Sequence, residues 1–143
     1  MVEASLPPHT EGVTTPQAGT PCPCGQGVFA ACCGRFLEGE CDPGSALELM
    51  RARYSAYVLG RVAFLQRTWH PATCPAVLDA ADLATPRWLG LEIRAVQTPD
   101  EHSASVEFVA RYRVGGRGFR LHERSHFERL AGRWTYREGE MLK

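Results

Sequence analysis

The sequence predicts an α+β fold, in which helices pack on one face of an antiparallel sheet and a small cysteine-rich knuckle precedes them. Apolar residues recur at helical spacing between positions 45 and 84, and they alternate with polar residues from Trp88 onward, which is the period of strands. Helices followed by consecutive strands are the element order of α+β domains. Four cysteines within residues 22–33 mark the knuckle.

The composition limits the size of the fold and the classes of partner. A chain of 143 residues with 44% hydrophobic side chains suits one globular domain with a small appendage. Its formal net charge is zero, so no global field recruits a nucleic acid or a membrane, and neither is an expected partner. The chain shows no signal peptide and no apolar stretch long enough to span a bilayer. We therefore expect a cytoplasmic protein.

Three zones follow one another along the chain. Residues 1–20 are rich in Pro, Thr, Gly and Glu without periodicity, which predicts a disordered tail. The cysteine knuckle occupies residues 21–36. A short connector containing Pro and Gly then leads into the folded domain, residues 44–143.

The first helix of the domain is predicted to begin at Ser45. Ser45 and Glu48 fit the S-x-x-E capping box, in which the two residues satisfy each other's free backbone N–H groups. Gly60 is a natural residue to end the helix. The helical spacing predicts one buried stripe, formed by Leu47, Met50, Tyr54, Tyr57 and Val58.

Two shorter helices are predicted after Gly60. The first contains Val62 and Trp69 and stops at His70-Pro71, because the residue before a proline avoids the α conformation. The second is weaker and spans residues 77–84.

The strands are predicted to form consecutive hairpins. Gly115-Gly116 and Ala131-Gly132 are plausible tight turns between alternating segments. A tight turn at Gly115-Gly116 sets a register in which the following residues pair: Tyr112 with Phe119, Ala110 with Leu121, Phe108 with Glu123, and Val106 with Ser125. In the first strand Leu89, Leu91 and Ile93 are expected to alternate on one face.

The register points Glu123 and Ser125 toward the helix-covered side of the sheet. A carboxylate does not go there unpaired without a large cost. One interpretation is a buried salt bridge or hydrogen bond, with Arg53 as the candidate partner, that orients helix against sheet. The other is a pocket carboxylate with a raised pKa that moves a proton, joined by His70 from the end of the second helix. His122 and His126 are expected to be solvated; the first shares the outer face with Arg124.

The knuckle carries the strongest chemical signal. Cys22 and Cys24 stand at C-x-C spacing, and Cys32 and Cys33 are adjacent. A short loop of this kind can place four thiolates at about 2.3 Å around one tetrahedral Zn²⁺. We expect one structural zinc ion per chain, and no metal catalysis, because four thiolates leave no position for water.

A disulfide is the weaker alternative for this segment. Adjacent Cys32 and Cys33 could bridge only through a strained ring, and nothing marks the chain as exported. Cys41 and Cys74 fall outside the pattern and are expected to be free thiols, although Cys41 is near enough to substitute as a ligand.

The knuckle resembles a known motif. Residues 22–34 read C-P-C-G-Q-G-V-F-A-A-C-C-G, which is similar to the SEC-C motif, a small zinc-binding module also found at the C-terminus of the translocase SecA. The resemblance implies that the four ligands are Cys22, Cys24, Cys32 and Cys33. Gln26 stands where the motif usually has Ser, and the basic stretch common after it is missing.

A wider resemblance covers residues from about 21 to 140. Four further segments look like the YchJ family, a bacterial group with no assigned reaction: 50–57 (M-R-A-R-Y-S-A-Y), 68–71 (T-W-H-P), 121–127 (L-H-E-R-S-H-F) and 132–136 (G-R-W-T-Y). The resemblance implies a SEC-C motif followed by a nuclear transport factor 2-like (NTF2-like) domain. In that fold a curved antiparallel sheet wraps around helices as a cone with a cavity at its open end.

Two functions are compatible with these features. The first is a zinc-containing binding or adaptor protein, whose knuckle contacts a protein partner while the cone supports it or binds a small ligand. The outer sheet face permits a homodimer without requiring one. The second is a small-molecule enzyme with acid–base chemistry of the dehydratase or isomerase type. In it Glu123 would be the general acid/base, and His70, Tyr54, Ser125 or Arg53 would polarise or position the substrate.

Overall fold

The computed structural model describes residues 19–39 and 41–143, so the tail predicted for residues 1–20 lies outside the described residues apart from its last two. The elements are a 3-10 turn (Phe29–Ala31), four helices and four strands. The helices are α1 (Gly34–Leu37), α2 (Ala46–Leu59), α3 (Val62–Arg67) and α4 (Ala80–Ala84), and the strands are β1 (Arg87–Gln97), β2 (Ser103–Val114), β3 (Arg117–Leu130) and β4 (Arg133–Met141). Helices first and a sheet afterwards confirm the predicted α+β class.

The four strands form one antiparallel sheet in the order β1-β2-β3-β4. The β2–β3 register is the predicted one, with Tyr112 opposite Phe119 and Phe108 opposite Glu123. Both predicted turns are present, and the two central residues of each have positive φ, as in the type I′ turns that suit the twist of a hairpin. The predicted face of Glu123 is therefore confirmed.

Bulges interrupt the pairing of both edge strands. β1 carries one extra residue at Leu89 and another at Arg94, and β4 carries one at Arg137. The prediction that Leu89 alternates with Leu91 on one face is wrong, because the bulge turns Leu89 outward and leaves it 52% exposed. An extra residue reverses the side-chain alternation locally.

Helix α2 begins and ends where the sequence predicts. Ser45 Oγ accepts a hydrogen bond from the Glu48 backbone N–H at 3.1 Å. Glu48 Oε1 in turn accepts from the N–H of Gly44 at 2.7 Å, one residue earlier than the capping box requires. Gly60 ends the helix in the left-handed conformation, with φ of 73°. The predicted cap is present, and its return bond is displaced by one residue.

The burial of α2 is broader than one stripe. Leu49, Ala52 and Ala56 are completely buried and were missing from the predicted stripe. Val58, which the stripe included, is exposed. The reason is that α2 lies between the sheet on one side and the knuckle on another, where its Ser55 hydroxyl is 3.5 Å from the Cys22 sulfur.

Helix α3 ends at Arg67, two residues earlier than predicted. The chain then runs beside β4, where Trp69 and Tyr136 form an isolated parallel bridge. Tyr136 donates its N–H to Thr68 O and accepts from the N–H of His70, both at 2.8 Å. This bridge fixes the end of α3 against the sheet.

Helix α4 begins three residues later than the predicted span. Asp79 caps it, since its Oδ1 accepts from the N–H of Ala81 at 2.9 Å. Among the described residues, no helix has both the length and the apolar character needed to cross a membrane.

Candidate functional site

The four cysteine sulfurs of the knuckle lie together. The Sγ atoms of Cys22, Cys24, Cys32 and Cys33 are all within 4.8 Å of one another, and those of Cys24 and Cys32 are 3.5 Å apart. Sulfurs at about 2.3 Å from a tetrahedral ion would be separated by about 3.8 Å. The four side chains could therefore bind one metal ion. All four are free cysteines, so no disulfide takes their place.

The local fold of the knuckle brings the two cysteine pairs together. A tight turn closes on Cys22, whose N–H donates to Gly27 O at 2.7 Å. The 3-10 turn that follows places the second cysteine pair opposite the first. A Cβ at Gly34 would lie 2.6 Å from Phe29 O and 3.0 Å from the Phe29 ring, so only glycine allows this close approach.

The crowded sulfurs affect one another's ionisation. Hydrogen bonds, first from Cys24 and then from Cys33, lower the pKa of Cys22. Burial is the main reason why the pKa of Cys32 rises to about 11, and the hydrogen bond with Cys22 is the main reason why the pKa of Cys33 is raised. These contacts thus favour the thiolate form of Cys22 and the thiol forms of Cys32 and Cys33. A divalent cation would supply the positive charge that four thiolates need.

Polar contacts attach the knuckle to the rest of the domain. Besides the contact between Cys22 and Ser55, Arg51 Nη1 donates to Cys24 O at 3.3 Å. From within the knuckle, Arg35 Nε donates to Cys32 O at 2.9 Å. Cys41 is exposed and lies outside the cluster.

The second site is a cavity of about 160 Å³ between α2 and the inner face of the sheet. Its lining comprises Met50, Arg53, Tyr54, Tyr57, Trp88, Phe108, Ala110, Leu121, Glu123, Ser125 and Tyr136. Four of the five predicted candidates, Glu123, Ser125, Tyr54 and Arg53, are thus brought together. Several lining side chains are only partly buried, so the cavity is open to solvent.

Glu123 is held in a fixed position at the cavity wall. Ser125 Oγ donates to its Oε2 at 3.0 Å. A Cβ at Gly139 would overlap the same oxygen, so the carboxylate lies against the bare backbone of β4. Burial raises the pKa of Glu123, while the Ser125 hydrogen bond and the charge of Arg53 oppose the rise. A carboxyl group of this kind can hold a proton at a higher pH than an exposed one.

Arg53 is 3% exposed and belongs to the core. Its Nη1 donates to Leu65 O at 2.9 Å and to Thr68 Oγ1 at 2.8 Å. Its guanidinium carbon lies 4.5 Å from the ring centre of Tyr136 and has a similar contact with Trp69. Burial lowers its pKa.

The predicted salt bridge between Arg53 and Glu123 is not formed. Among the described residues, no carboxylate oxygen lies within 4.0 Å of the Arg53 guanidinium. The physical reason is the end of α3, whose carbonyl and hydroxyl oxygens take the guanidinium hydrogen bonds. The carboxylate and the guanidinium face the same cavity and act on each other only through space.

The prediction that His70 joins Glu123 is also wrong. His70 Nδ1 accepts from the N–H of Ala72 at 3.0 Å. Its Nε2 lies 3.2 Å from Glu128 Oε1 and 3.1 Å from Arg137 Nη1. The ring is therefore turned toward β3 and β4 outside the cavity lining, because the bridge between Trp69 and Tyr136 redirects the chain before His70.

Four aromatic lining residues were missing from the predicted site. They are Tyr57, Trp88, Phe108 and Tyr136. Burial raises the pKa of Tyr54 and of Tyr136 to about 12, so both hydroxyls stay protonated at neutral pH. Trp88 Nε1 is buried and has no hydrogen-bond partner among the residues that the structure describes. The strand parity of Trp88, opposite Tyr112, was the signal that could have placed it.

The outer face of the sheet carries an ion-pair network. His122 Nε2 lies 2.6 Å from Glu107 Oε2, Arg124 lies 3.8 Å from the same carboxylate, and His126 lies 3.3 Å from Glu140. The expectation of a solvated side chain is wrong for His122, which is 13% exposed. It holds for His126, which is 40% exposed.

Comparison with known proteins places these features in a family. Residues 45–139 match the family described as "YchJ, middle NTF2-like domain". A UPF0225 protein of Ralstonia nicotianae is 48% identical over 142 residues, which cover 92% of this chain and 99% of that protein. A UPF0225 protein of Cupriavidus pinatubonensis is 53% identical over 130 residues, with 86% and 90% covered.

Two solved structures have the same fold. The solution structure of a SEC-C motif containing protein from Rhodopseudomonas palustris is 32% identical, with a TM-score of 0.77, and the match covers 87% of this chain and all of that one. The crystal structure of a SEC-C motif containing protein from Psychrobacter arcticus has a TM-score of 0.72 and covers 87% of this chain and 84% of that one. At 24% identity the second likeness concerns the fold alone.

Proposed function

Since this chain belongs to the YchJ family, with an NTF2-like domain at residues 45–139, we propose that it is a zinc-stabilised binding protein. A structural zinc ion orders the knuckle on helix α2, and the conical domain binds a small ligand in its cavity. The observation that carries the proposal is the convergence of four cysteine sulfurs within 4.8 Å.

The donor set favours zinc in a structural role. Four thiolates in tetrahedral arrangement suit Zn²⁺, and they close its coordination sphere. When bound, the ion supplies the positive charge that stabilises the thiolates. Thiols that stay reduced fit a cytoplasmic location. The Rhodopseudomonas palustris relative is itself described as containing a SEC-C motif, which agrees with this assignment.

The tip of the knuckle is suited to contact a protein partner. Residues 25–28 are all exposed, and Val28 presents an apolar side chain that is 43% exposed. The knuckle has no lysine and the chain no net charge, so an uncharged protein surface fits this tip better than a nucleic acid does.

The first test is the metal content of the untagged protein, purified without chelator and measured by elemental analysis. We expect one zinc ion per chain. Cys32→Ser should lose the metal and lower the midpoint of thermal unfolding, because metal binding contributes folding free energy. Cys41→Ser is the matched control. It should keep the metal and the wild-type midpoint of thermal unfolding, since Cys41 is exposed and outside the cluster. The zinc assignment would be contradicted by wild-type protein without metal, or by Cys32→Ser protein that still contains one zinc ion per chain.

A second candidate function is favoured by one observation, the position of Glu123 in the wall of an open cavity, where burial raises the pKa of its carboxyl group. In an enzyme of the dehydratase or isomerase type, Glu123 would transfer the proton, and Tyr54, Ser125 and Arg53 would position the substrate. Once a substrate of the wild-type protein has been identified, Glu123→Gln should abolish its turnover, while the metal content should stay at one ion per chain. Unchanged turnover in Glu123→Gln would exclude this role.

A further inference from the structure

We propose that the cavity binds a small carboxylic acid with a single-ring apolar body, whose carboxylate pairs with Arg53. This inference rests on the proposed function, because it takes the cavity to be a ligand site, and it names the chemical class of the ligand. Three properties of the cavity lead to it: the buried charge of Arg53, the state of Glu123, and the size and lining of the space.

The first argument is the missing counter-charge of Arg53. Arg53 is almost fully buried as a whole residue, and it lines the cavity. A buried cation without a counter-ion is costly, and none of the described carboxylates lies within 4.0 Å of it. Its Nη1 donates to Leu65 O and Thr68 Oγ1, and its side chain has a further hydrogen bond with Tyr57, so its polar partners are neutral groups and none of them balances its charge. A ligand carboxylate is the group that best matches a guanidinium in geometry and charge.

The second argument is the state of Glu123 in the same cavity. An ionised Glu123 would repel a ligand carboxylate, whereas a protonated one can donate a hydrogen bond to it. Burial raises the pKa of Glu123, and a ligand anion nearby would raise it further. The two carboxyl groups then share one proton. Binding of the anion should therefore take up a proton and weaken as pH rises.

The third argument is the size and lining of the cavity. Its volume of about 160 Å³ is close to that of an apolar protein cavity of about 150 Å³ that accommodates benzene. Met50, Phe108 and Leu121 supply apolar walls. The Trp88 ring adds a further aromatic wall. One ring with one carboxylate fits this space; an amine would face the buried positive charge of Arg53.

The test is a titration of the full-length, metal-containing protein with three probes of one shape: benzoate, benzamide and benzylamine. Binding is followed by two-dimensional amide NMR, in which the Trp88 indole N–H is identified with Trp88→Phe. We expect benzoate to shift this resonance and to bind at least about tenfold more tightly than benzamide, the difference typical of one charge-assisted pair. Benzylamine should not bind.

The pH dependence supplies a readout that a purely structural Glu123 would not give. Benzoate should bind more tightly at about pH 5 than at about pH 8, because protonation of Glu123 removes the like charge. Glu123→Gln should remove most of this difference and tighten binding at the higher pH. A wild-type affinity that does not change with pH, or a variant as pH-dependent as wild type, would overturn the shared proton.

Other outcomes separate the inference from the proposed function. Equal affinity for benzoate and benzamide, or a preference for benzylamine, overturns the carboxylate class and leaves the cavity as a ligand site. No binding of any probe overturns the inference, while one zinc ion per chain in the same sample still supports the metal assignment. Ala110→Leu, which fills the cavity, should abolish benzoate binding with metal content and spectrum retained. Undiminished binding by this variant would place benzoate elsewhere and overturn the inference.

Discussion

At the scale of single residues, the burial of Glu123 makes this carboxyl group contribute to the pH dependence of stability. Burial raises the pKa of Glu123 in the folded protein, so folding favours the protonated carboxyl. The contribution of Glu123 to the free energy of unfolding is fully present below the pKa of its carboxyl group in the unfolded chain, near 4.5. It is lost as pH rises through the higher folded pKa.

Replacing Glu123 by Gln should remove this loss. We expect equal free energies of unfolding for variant and wild type at about pH 4, and a variant more stable by up to about 1 kcal/mol at about pH 8, after allowing for partial solvent screening. Urea denaturation at both pH values measures the difference. Glu138→Gln, on an exposed side chain, is the matched control and should change little. A variant less stable by several kcal/mol at pH 8 would instead indicate that Glu123 is half of a buried ion pair.

Residue-level predictions from the sequence were accurate where a short-range rule decides them. Strand parity placed Glu123 and Ser125 on the inner face, and cysteine spacing gathered the four sulfurs. The partner of Arg53 and the direction of His70 could not be predicted, because both depend on where α3 ends. That end is fixed by backbone bonds to Tyr136, a contact between residues far apart in the chain.

At the scale of elements, the two tight hairpins differ in one residue. The β2–β3 turn has glycine at both central positions, Gly115 and Gly116, whereas the β3–β4 turn has Ala131 before Gly132. Ala131 has φ of 50° and is the one non-glycine residue with positive φ in the described chain. A side chain in this region is strained, while glycine is not.

Ala131→Gly should therefore stabilise the protein, by about 1 kcal/mol. The reverse change in the other hairpin, Gly115→Ala, is the matched comparison and should destabilise by a similar amount. Thermal or urea unfolding measures both. A Cβ at Gly115 would meet nothing within 4 Å, and Ala131 is exposed, so backbone strain predicts opposite signs for the two changes. Two changes of the same sign would refute backbone strain as the cause.

The sequence predicts which elements exist better than it predicts their irregularities. The capping residues of α2 located that helix, and the turn residues located both hairpins. The bulges at Leu89, Arg94 and Arg137 cannot be recognised in the sequence. An inserted residue looks the same as any other interruption of the apolar–polar alternation. The exposure of Val58 was missed because a single-stripe pattern assumes contact on one side of a helix, whereas α2 is contacted on two.

At the scale of the whole molecule, helix α2 separates the cysteine cluster from the cavity. Arg51 and Ser55 contact the knuckle, and Arg53, Tyr54 and Tyr57 line the cavity. The central strands β2 and β3 pair with each other and with the edge strands β1 and β4. Loss of metal should therefore disturb the molecule in a graded way, from the knuckle to α2 and least in the sheet.

Hydrogen exchange measures this gradient. After removal of metal with a chelator, we expect amides of residues 22–37 to lose protection most, those of α2 to lose it partly, and those of β2 and β3 to keep it. Restoring zinc should restore the original pattern, and Cys32→Ser should match the chelated protein without chelator. A uniform loss over all elements would show instead that the domain and knuckle unfold as one unit.

The α+β class followed from the order of periodicities along the chain, and the family resemblance added the cone. The cavity could not be derived from that order, because its shape depends on how Trp88 packs against Tyr54 and how Arg53 packs against Tyr136. Packing of this kind involves residues from α2, β1 and β4, which no local pattern relates.

The two edges of the sheet bear on how the protein behaves when it is concentrated. A straight edge strand offers unpaired backbone groups to a second chain and promotes aggregation. Here β1 is broken by bulges at Leu89 and Arg94, and the middle of β4 is occupied by the Thr68–His70 segment, bonded to Tyr136. Each edge thus offers only short runs of backbone to another molecule. The sheet is therefore protected on both sides against growth by strand addition.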